Sequence, residues 1–346
     1  MSRALEPGEL EERIAALPVD VEALAVERSS VELPAYYGDA PRPTGLAILR
    51  GGGAAGRGEC VAWTPREQDE FASACARLSL PLSTTVGELA LLFEDELDDP
   101  YHRAAVEGAA IDLALRQAGT NLYVLAGRPA AAVAFCRSVG REFDPLAAIA
   151  PLLEQDPQAR LKIDVPPEGW PPAIWQALAD TGSVVVLDFK RESDTDRLRT
   201  AHAWIPEAWL EDPPAEAMTL DREGTWRERV SLDGYVLAAV DIDDPEIPPA
   251  AVNVKAPRVG GWLEALRCLE ECRRRDLHAY IGGMFEVGVG RAQARLLASL
   301  YTADAWNDLA PLAPRSADAV PTSPWRTDDG FIGFAPWNSR PTSTPE

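Results

Sequence analysis

Between Arg160 and Glu286 the chain repeats one pattern, a short apolar run that ends on a charged residue. The runs are RLK at Lys162, VVVLD at Asp188, WLE at Glu211, VNVK at Lys255 and HAYIGGMFE at Glu286. A β-strand covered on both faces reads as a nearly continuous Val, Ile, Leu and Ala run. A carboxylate or ammonium at its last residue leaves the core for whatever lies beyond the strand's carboxyl end. Lys162 to Asp188 is 26 residues, Asp188 to Glu211 is 23, and Glu211 to Lys255 is 44, the last with room for one more strand and helix. One strand, one helix and two loops take roughly 20 to 30 residues. The runs are therefore spaced as successive units of an α/β protein, a (β/α)8-type barrel of modified TIM-like form expected over residues 123–315. In such a barrel the carboxyl ends of the strands form the functional face.

Upstream the pattern changes. Residues 1–30 read as an N-terminal helix or arm, with helical character over 8–17. From Val31 onward VELPAYY and GLAILRGGGAAGRGECVAWT read as strand and turn, and residues 65–118 as helices. Thr64 followed by Pro65 is a helix start, and Gly119 a helix stop. Residues 31–122 are thus expected as an α+β unit. Gly51 to Gly58 is a hairpin turn rather than a phosphate cradle, because no Lys-Ser/Thr follows it and a strand comes next. Residues 316–346, rich in Pro, Ser and Thr, are expected to pack back on the α+β unit.

The formal net charge of −22 excludes nucleic acid and anionic membranes as natural partners, since their phosphates would be repelled. Five cysteines without a CxxC pair read as reduced, buried thiols. The first residues lack the apolar core of a secretory signal, and no run reaches about 18 apolar residues. The expected compartment is the cytoplasm.

Lys162 and Lys255 follow β-branched or apolar residues and are expected to share a cavity, where burial and mutual repulsion would lower their pKa. Asp188 and Glu211, one repeat apart, bring oxygens to adjacent strand ends, as a hard divalent ion such as Mg2+ requires.

These stretches resemble the enolase superfamily, and within it the muconate-lactonizing subgroup that includes o-succinylbenzoate synthases and N-acylamino acid racemases. The matching segments are RLK (160–162), VVVLD (184–188), WLEDP (209–213), VNVKAPRVGG (252–261) and GGMFEVGVGRA (282–292). GRGECVAW resembles the hairpin of the family's capping domain and AAIDLALRQAG its last helix, so the resemblance covers about residues 31 to 335. It implies Lys162 as a catalytic base supported by Arg160, Lys255 as the opposing lysine, Asp188 and Glu211 as Mg2+ ligands, and Arg160 and Glu286 near the substrate. A rival register, Lys162-Ile163-Asp164, would put Asp164 in place of the base. The third ligand is Asp233 or Asp241. Asp241 leaves 14 residues before Lys255, little for a parallel crossover, whereas Asp233 gives intervals of 22 on either side. Lys190 stands where the family commonly has Asn.

The activity implied is that of a Mg2+-dependent lyase. It would remove the proton α to a carboxylate of a small molecule and eliminate water through an enediolate, as o-succinylbenzoate synthase does in menaquinone biosynthesis. The alternatives are an N-acylamino acid racemase or dipeptide epimerase, and a degenerate, non-catalytic barrel. A homo-oligomer is left open.

Overall fold

The computed structural model describes residues 3–31, 41–141, 144–220, 224–243, 249–309 and 330–335. VELPAYY beyond Val31, and most of 316–346, lie outside them.

The first layer is an antiparallel sheet under a helix. A short ribbon pairs β1 (Pro18–Asp20) with β5 (Ser83–Thr85), and the sheet proper is β2 (Ala23–Val31), β3 (Arg42–Gly51) and β4 (Ala54–Cys60), with β3 central. The sheet starts inside the stretch expected as a helix or arm, where Pro7–Ala15 alone is helical. Gly52 and Gly53 both have positive φ, 54° and 74°, which the two-residue turn between β3 and β4 requires. Gly56 and Gly58 serve a different end. A Cβ there would fall 2.2 Å from Ala109 O and 2.0 Å from Ala105 O, so only glycine lets the helix Pro100–Gln117 lie this close to the sheet. That helix is buried without a break from Ala104 to Leu115, and Gly119 (φ 63°) follows its end. At Pro65–Arg77, Thr64 and Glu67 form a reciprocal cap, as the Thr-Pro start signal implies.

The second layer is the barrel. β6 (Cys136–Val139), β7 (Arg160–Asp164), β8 (Val184–Asp188), β9 (Trp209–Glu211), β10 (Val230–Leu232), β11 (Ala251–Val254) and β12 (His278–Ile281) are parallel and adjacent in chain order. Parallel bridges Phe135↔Asn307 and Gly282↔Asp308 tie both edges to one segment. The eighth stave is thus reduced to two residues, which makes this a modified TIM-like barrel. Along the strands Leu161, Ile163, Leu187, Leu210, Val252 and Val254 belong to the apolar core, each fully buried side chain contributing about 1.5–3 kcal/mol. The residues between them, Lys162, Asp188, Glu211 and Asn253, are buried and polar. Strand alternation sends these to the opposite face, the barrel interior. YVLAAVDID (235–243), the stretch that carries Asp241, forms a loop and the short helix Val240–Asp243 rather than a strand. Too few residues separate it from β11 for a strand and its crossover.

Carboxylates of the first layer fasten the two layers. Glu107 accepts from Trp262 N and, at 3.0 Å, Leu263 N, capping the helix Trp262–Arg274. Glu59 accepts from Val287, Gly288 and Gly290 N at 2.8–3.1 Å. Asp112 accepts from Arg57 N and Phe334 N, so residues 330–335 lie against the helix Pro100–Gln117. All five cysteines are free and buried. Among the described residues no helix is long and apolar enough to cross a membrane.

Candidate metal centre and its lysines

Register builds the site. Asp188 on β8 pairs with Glu211 on β9, Glu211 with Ser231 on β10, and Asp233 follows two residues on. One oxygen each of Asp188, Glu211 and Asp233 lies within 4.8 Å of the others, and all three residues are buried. Asp233 is held in place from β9. Asp212, with a left-handed φ of 48°, accepts from Asp233 N at 2.8 Å and from Gly234 N.

Each of these three carboxylates meets a cation. Lys162 Nζ ion-pairs with Glu211 and lies 3.1 Å from Asp188 Oδ2 and 3.2 Å from Asp308 Oδ2. Lys255 Nζ lies 2.8 Å from Asp233 Oδ2, whose other oxygen accepts from Arg258. Lys190 Nζ lies 2.5 Å from Asp188 Oδ2 and 3.2 Å from Asp164 Oδ1. The outer oxygen of Glu211 accepts from Tyr280 OH at 2.5 Å and Asn253 Nδ2 at 3.2 Å, and Tyr280 OH is 2.7 Å from Ser231 Oγ.

The Lys162 pKa moves opposite to the sequence expectation. Burial works against the ammonium, but Glu211, Asp308 and Asp188 together raise it well above the usual lysine value. Burial also lifts Glu211, to about 8, against the pull of Lys162 and with Asp188 and Asp233 adding to the rise. Three buried carboxylates without His or Cys suit a hard divalent ion that takes oxygen ligands, so the residues present fit Mg2+.

Not every expected residue joins them. Asp241 accepts from Leu237 N and Ala238 N at the start of its own short helix. Arg160 shares the face of Lys162 but sits two residues, about 6 to 7 Å, toward the strand's start. There its guanidinium lies over Trp306 and reaches Gly182 O at 3.5 Å, at the opposite end of the barrel from the site. Glu286 accepts from Met284 N at 3.0 Å and faces Arg291 at 3.9 Å, so it braces its own loop. Asp164 is paired with Lys190. Asp308 and Tyr280 were not foreseen. Asp308 lies on the two-residue stave, which has no apolar run to announce it. Tyr280 passes for apolar in HAYI, although strand alternation turns it inward.

The capped barrel that carries the acidic trio and its flanking lysines has the fold of solved structures from the enolase superfamily. The chain belongs to the family described as domain of unknown function (DUF8230), whose N-terminal domain matches residues 12–125 and whose C-terminal domain matches residues 130–314. It is 32% identical over 133 residues to the o-succinylbenzoate synthase of Enterococcus faecalis, a match over 36% of this chain and 35% of that protein. The match thus spans about a third of the relative's length. Among solved structures, an unknown member of the enolase superfamily from Enterococcus faecalis V583 is similar at 23% identity and TM-score 0.68, over 84% of this chain and 86% of that one. A dipeptide epimerase from Methylococcus capsulatus, complexed with Mg and the dipeptide L-Arg-D-Lys, is similar at 19% identity and TM-score 0.77, over 91% of this chain and 99% of that one.

Proposed function

We propose that this protein is a Mg2+-dependent enzyme that removes the proton α to the carboxylate of a small molecule, and that its reaction is the water elimination of an o-succinylbenzoate synthase. The observation that carries the proposal is the placement of two lysines, Lys162 on β7 and Lys255 after β11, on either side of the carboxylates of β8, β9 and β10. Asp188, Glu211 and Asp233 would hold the ion. When bound, it supplies positive charge where negative charge grows on the substrate carboxylate.

Lys162, as the neutral amine, takes the α proton. The groups that hold the Lys162 proton include Asp188 and Glu211, the same carboxylates that would hold a divalent ion. The proton then passes to the departing hydroxyl, which leaves as water. Lys255 lies across the carboxylates from it, positioned by Asp233. Tyr280 and Asn253 fix the orientation of Glu211.

A second reading has the same support. Two lysines on opposite sides can take and return a proton on opposite faces, which is racemisation of an N-acylamino acid or epimerisation of a dipeptide. Incubation of the Mg2+-loaded protein with the o-succinylbenzoate precursor and a panel of N-acylamino acids and dipeptides separates them. Appearance of the aromatic product supports the elimination, and change of optical rotation alone supports the second reading. Failure of both in protein that binds Mg2+ leaves the degenerate, non-catalytic barrel.

A further inference from the structure

We infer that Lys190 is an internal counter-ion that makes metal loading of the site depend on the carboxylate of the substrate. The inference rests on the metal reading above and extends it to a residue that the proposed reaction does not use.

Lys190 engages both oxygens of one ligand. Its ammonium lies 2.5 Å from Asp188 Oδ2, and its backbone N–H donates to Asp188 Oδ1 at 3.1 Å. The backbone that allows this is left-handed at two successive residues, Lys190 (φ 51°) and Arg191 (φ 64°), a conformation that costs a non-glycine residue about 1–3 kcal/mol. Arg191 N donates to Asp212 O at 2.8 Å, so the bend is tied to the strand end that also orients Asp233. Lys162 meets Asp188 with its side chain 3% exposed, whereas that of Lys190 is 39% exposed. Lys190 therefore reaches the carboxylate from the open side. Asp164 offers the same ammonium a second partner at 3.2 Å.

Formal charge gives the consequence. Among the ion-paired side chains of the cluster, each taken in its ordinary charge state, Asp164, Asp188, Glu211, Asp233 and Asp308 face Lys162, Lys190, Lys255 and Arg258, which leaves one negative charge in excess. While Lys162 still carries its proton, a divalent ion alone turns the excess positive, and one substrate carboxylate brings the cluster to neutrality before that proton is given up. Without Lys190 the divalent ion alone is sufficient. Uncompensated charge in a buried site is costly, so the native site favours ion and monocarboxylate together. In that state Lys190 yields Asp188 Oδ2 and remains on Asp164.

The test uses Mn2+ as probe, its free ion counted by electron paramagnetic resonance, with acetate as carboxylate and chloride at equal ionic strength as control. Lys190→Gln is expected to bind Mn2+ about ten-fold tighter than the native protein, the effect of one like charge removed from a partly exposed site. Acetate tightens Mn2+ binding in the native protein and loses most of that effect in Lys190→Gln. Asp164→Asn, which removes the second resting place of the ammonium, weakens Mn2+ binding and serves if Lys190→Gln does not fold by circular dichroism. Mn2+ affinity no higher in Lys190→Gln, an acetate effect equal in the two proteins, absent from both, or unchanged affinity in Asp164→Asn overturns the inference while leaving the metal reading standing. Failure of the native protein and every variant to bind Mn2+ overturns the metal reading and this inference with it.

Discussion

Replacing Lys162 by Ala removes the ammonium that faces Asp188, Glu211 and Asp308 at the buried centre of the barrel. The sequence suggests a side chain of little consequence for folding. The structure makes it the counter-ion of three carboxylates, with its own side chain only 3% exposed. Breaking a buried ion pair by removing one partner costs about 3–5 kcal/mol, so Lys162→Ala should lose about that much unfolding free energy in the presence of a chelator. Mg2+ replaces the missing charge and should restore part of the loss. At a free concentration of about 100 times Kd, binding to the native state alone adds about 2.7 kcal/mol. Urea unfolding followed by tryptophan fluorescence, with chelator and with Mg2+, measures both terms, and turnover should be abolished in either condition. A variant as stable as the native protein in chelator, or one whose loss Mg2+ leaves unchanged, would refute the reasoning.

Other consequences follow from single residues. Asp233→Asn takes one of three ligand charges and leaves Lys255 and Arg258 without their carboxylate, so Mg2+ affinity measured by calorimetry should fall by a factor of about ten or more. Gly58→Ala drives a Cβ to 2.0 Å from Ala105 O and should cost about 1–3 kcal/mol in urea unfolding. Burial holds Glu107 at about 7, against an ordinary value of 4.5. The folded state thus keeps a proton that the unfolded chain has lost, and stability should fall by about 3 kcal/mol as pH rises from 4.5 to 7. It is flat beyond either limit, and the difference from Glu107→Gln at each pH isolates this contribution.

Parts of the site were legible because burial on both faces leaves an apolar run, and a charge that breaks the run at its end has nowhere else to go. Asp188 and Glu211 end β8 and β9 and Lys255 follows β11, whereas Lys162, expected at the end of its run, is the middle residue of β7 and still reaches Asp188 and Glu211. Asp233 follows from equal intervals even though its own strand is three residues long. What stayed hidden had other physical causes. Asp308 sits on a stave too short to show a pattern. Arg160 shares the parity of Lys162, and parity alone does not say at which end of the barrel a side chain emerges. The sequence shows two lysines that would repel one another, but not that each meets carboxylates at contact distance, which is why the expected fall in the Lys162 pKa is a rise. β2 was hidden by its solvent-facing positions, since Glu27, Arg28 and Ser29 are exposed and mask the strand.

The central claim is that two lysines flanking a divalent ion exchange the proton α to a carboxylate. Proton NMR in deuterium oxide tests it directly, with the Mg2+-loaded protein and N-acylamino acids or the o-succinylbenzoate precursor, by following loss of the α-proton signal. The account predicts exchange that requires Mg2+, stops with chelator, and is lost in the Lys162→Ala/Lys255→Ala double variant. An elimination by one base loses exchange with Lys162→Ala alone, and a two-base racemase loses it on one face with each lysine. Absence of exchange in protein shown to bind Mg2+, or exchange that survives the double substitution, would contradict the account.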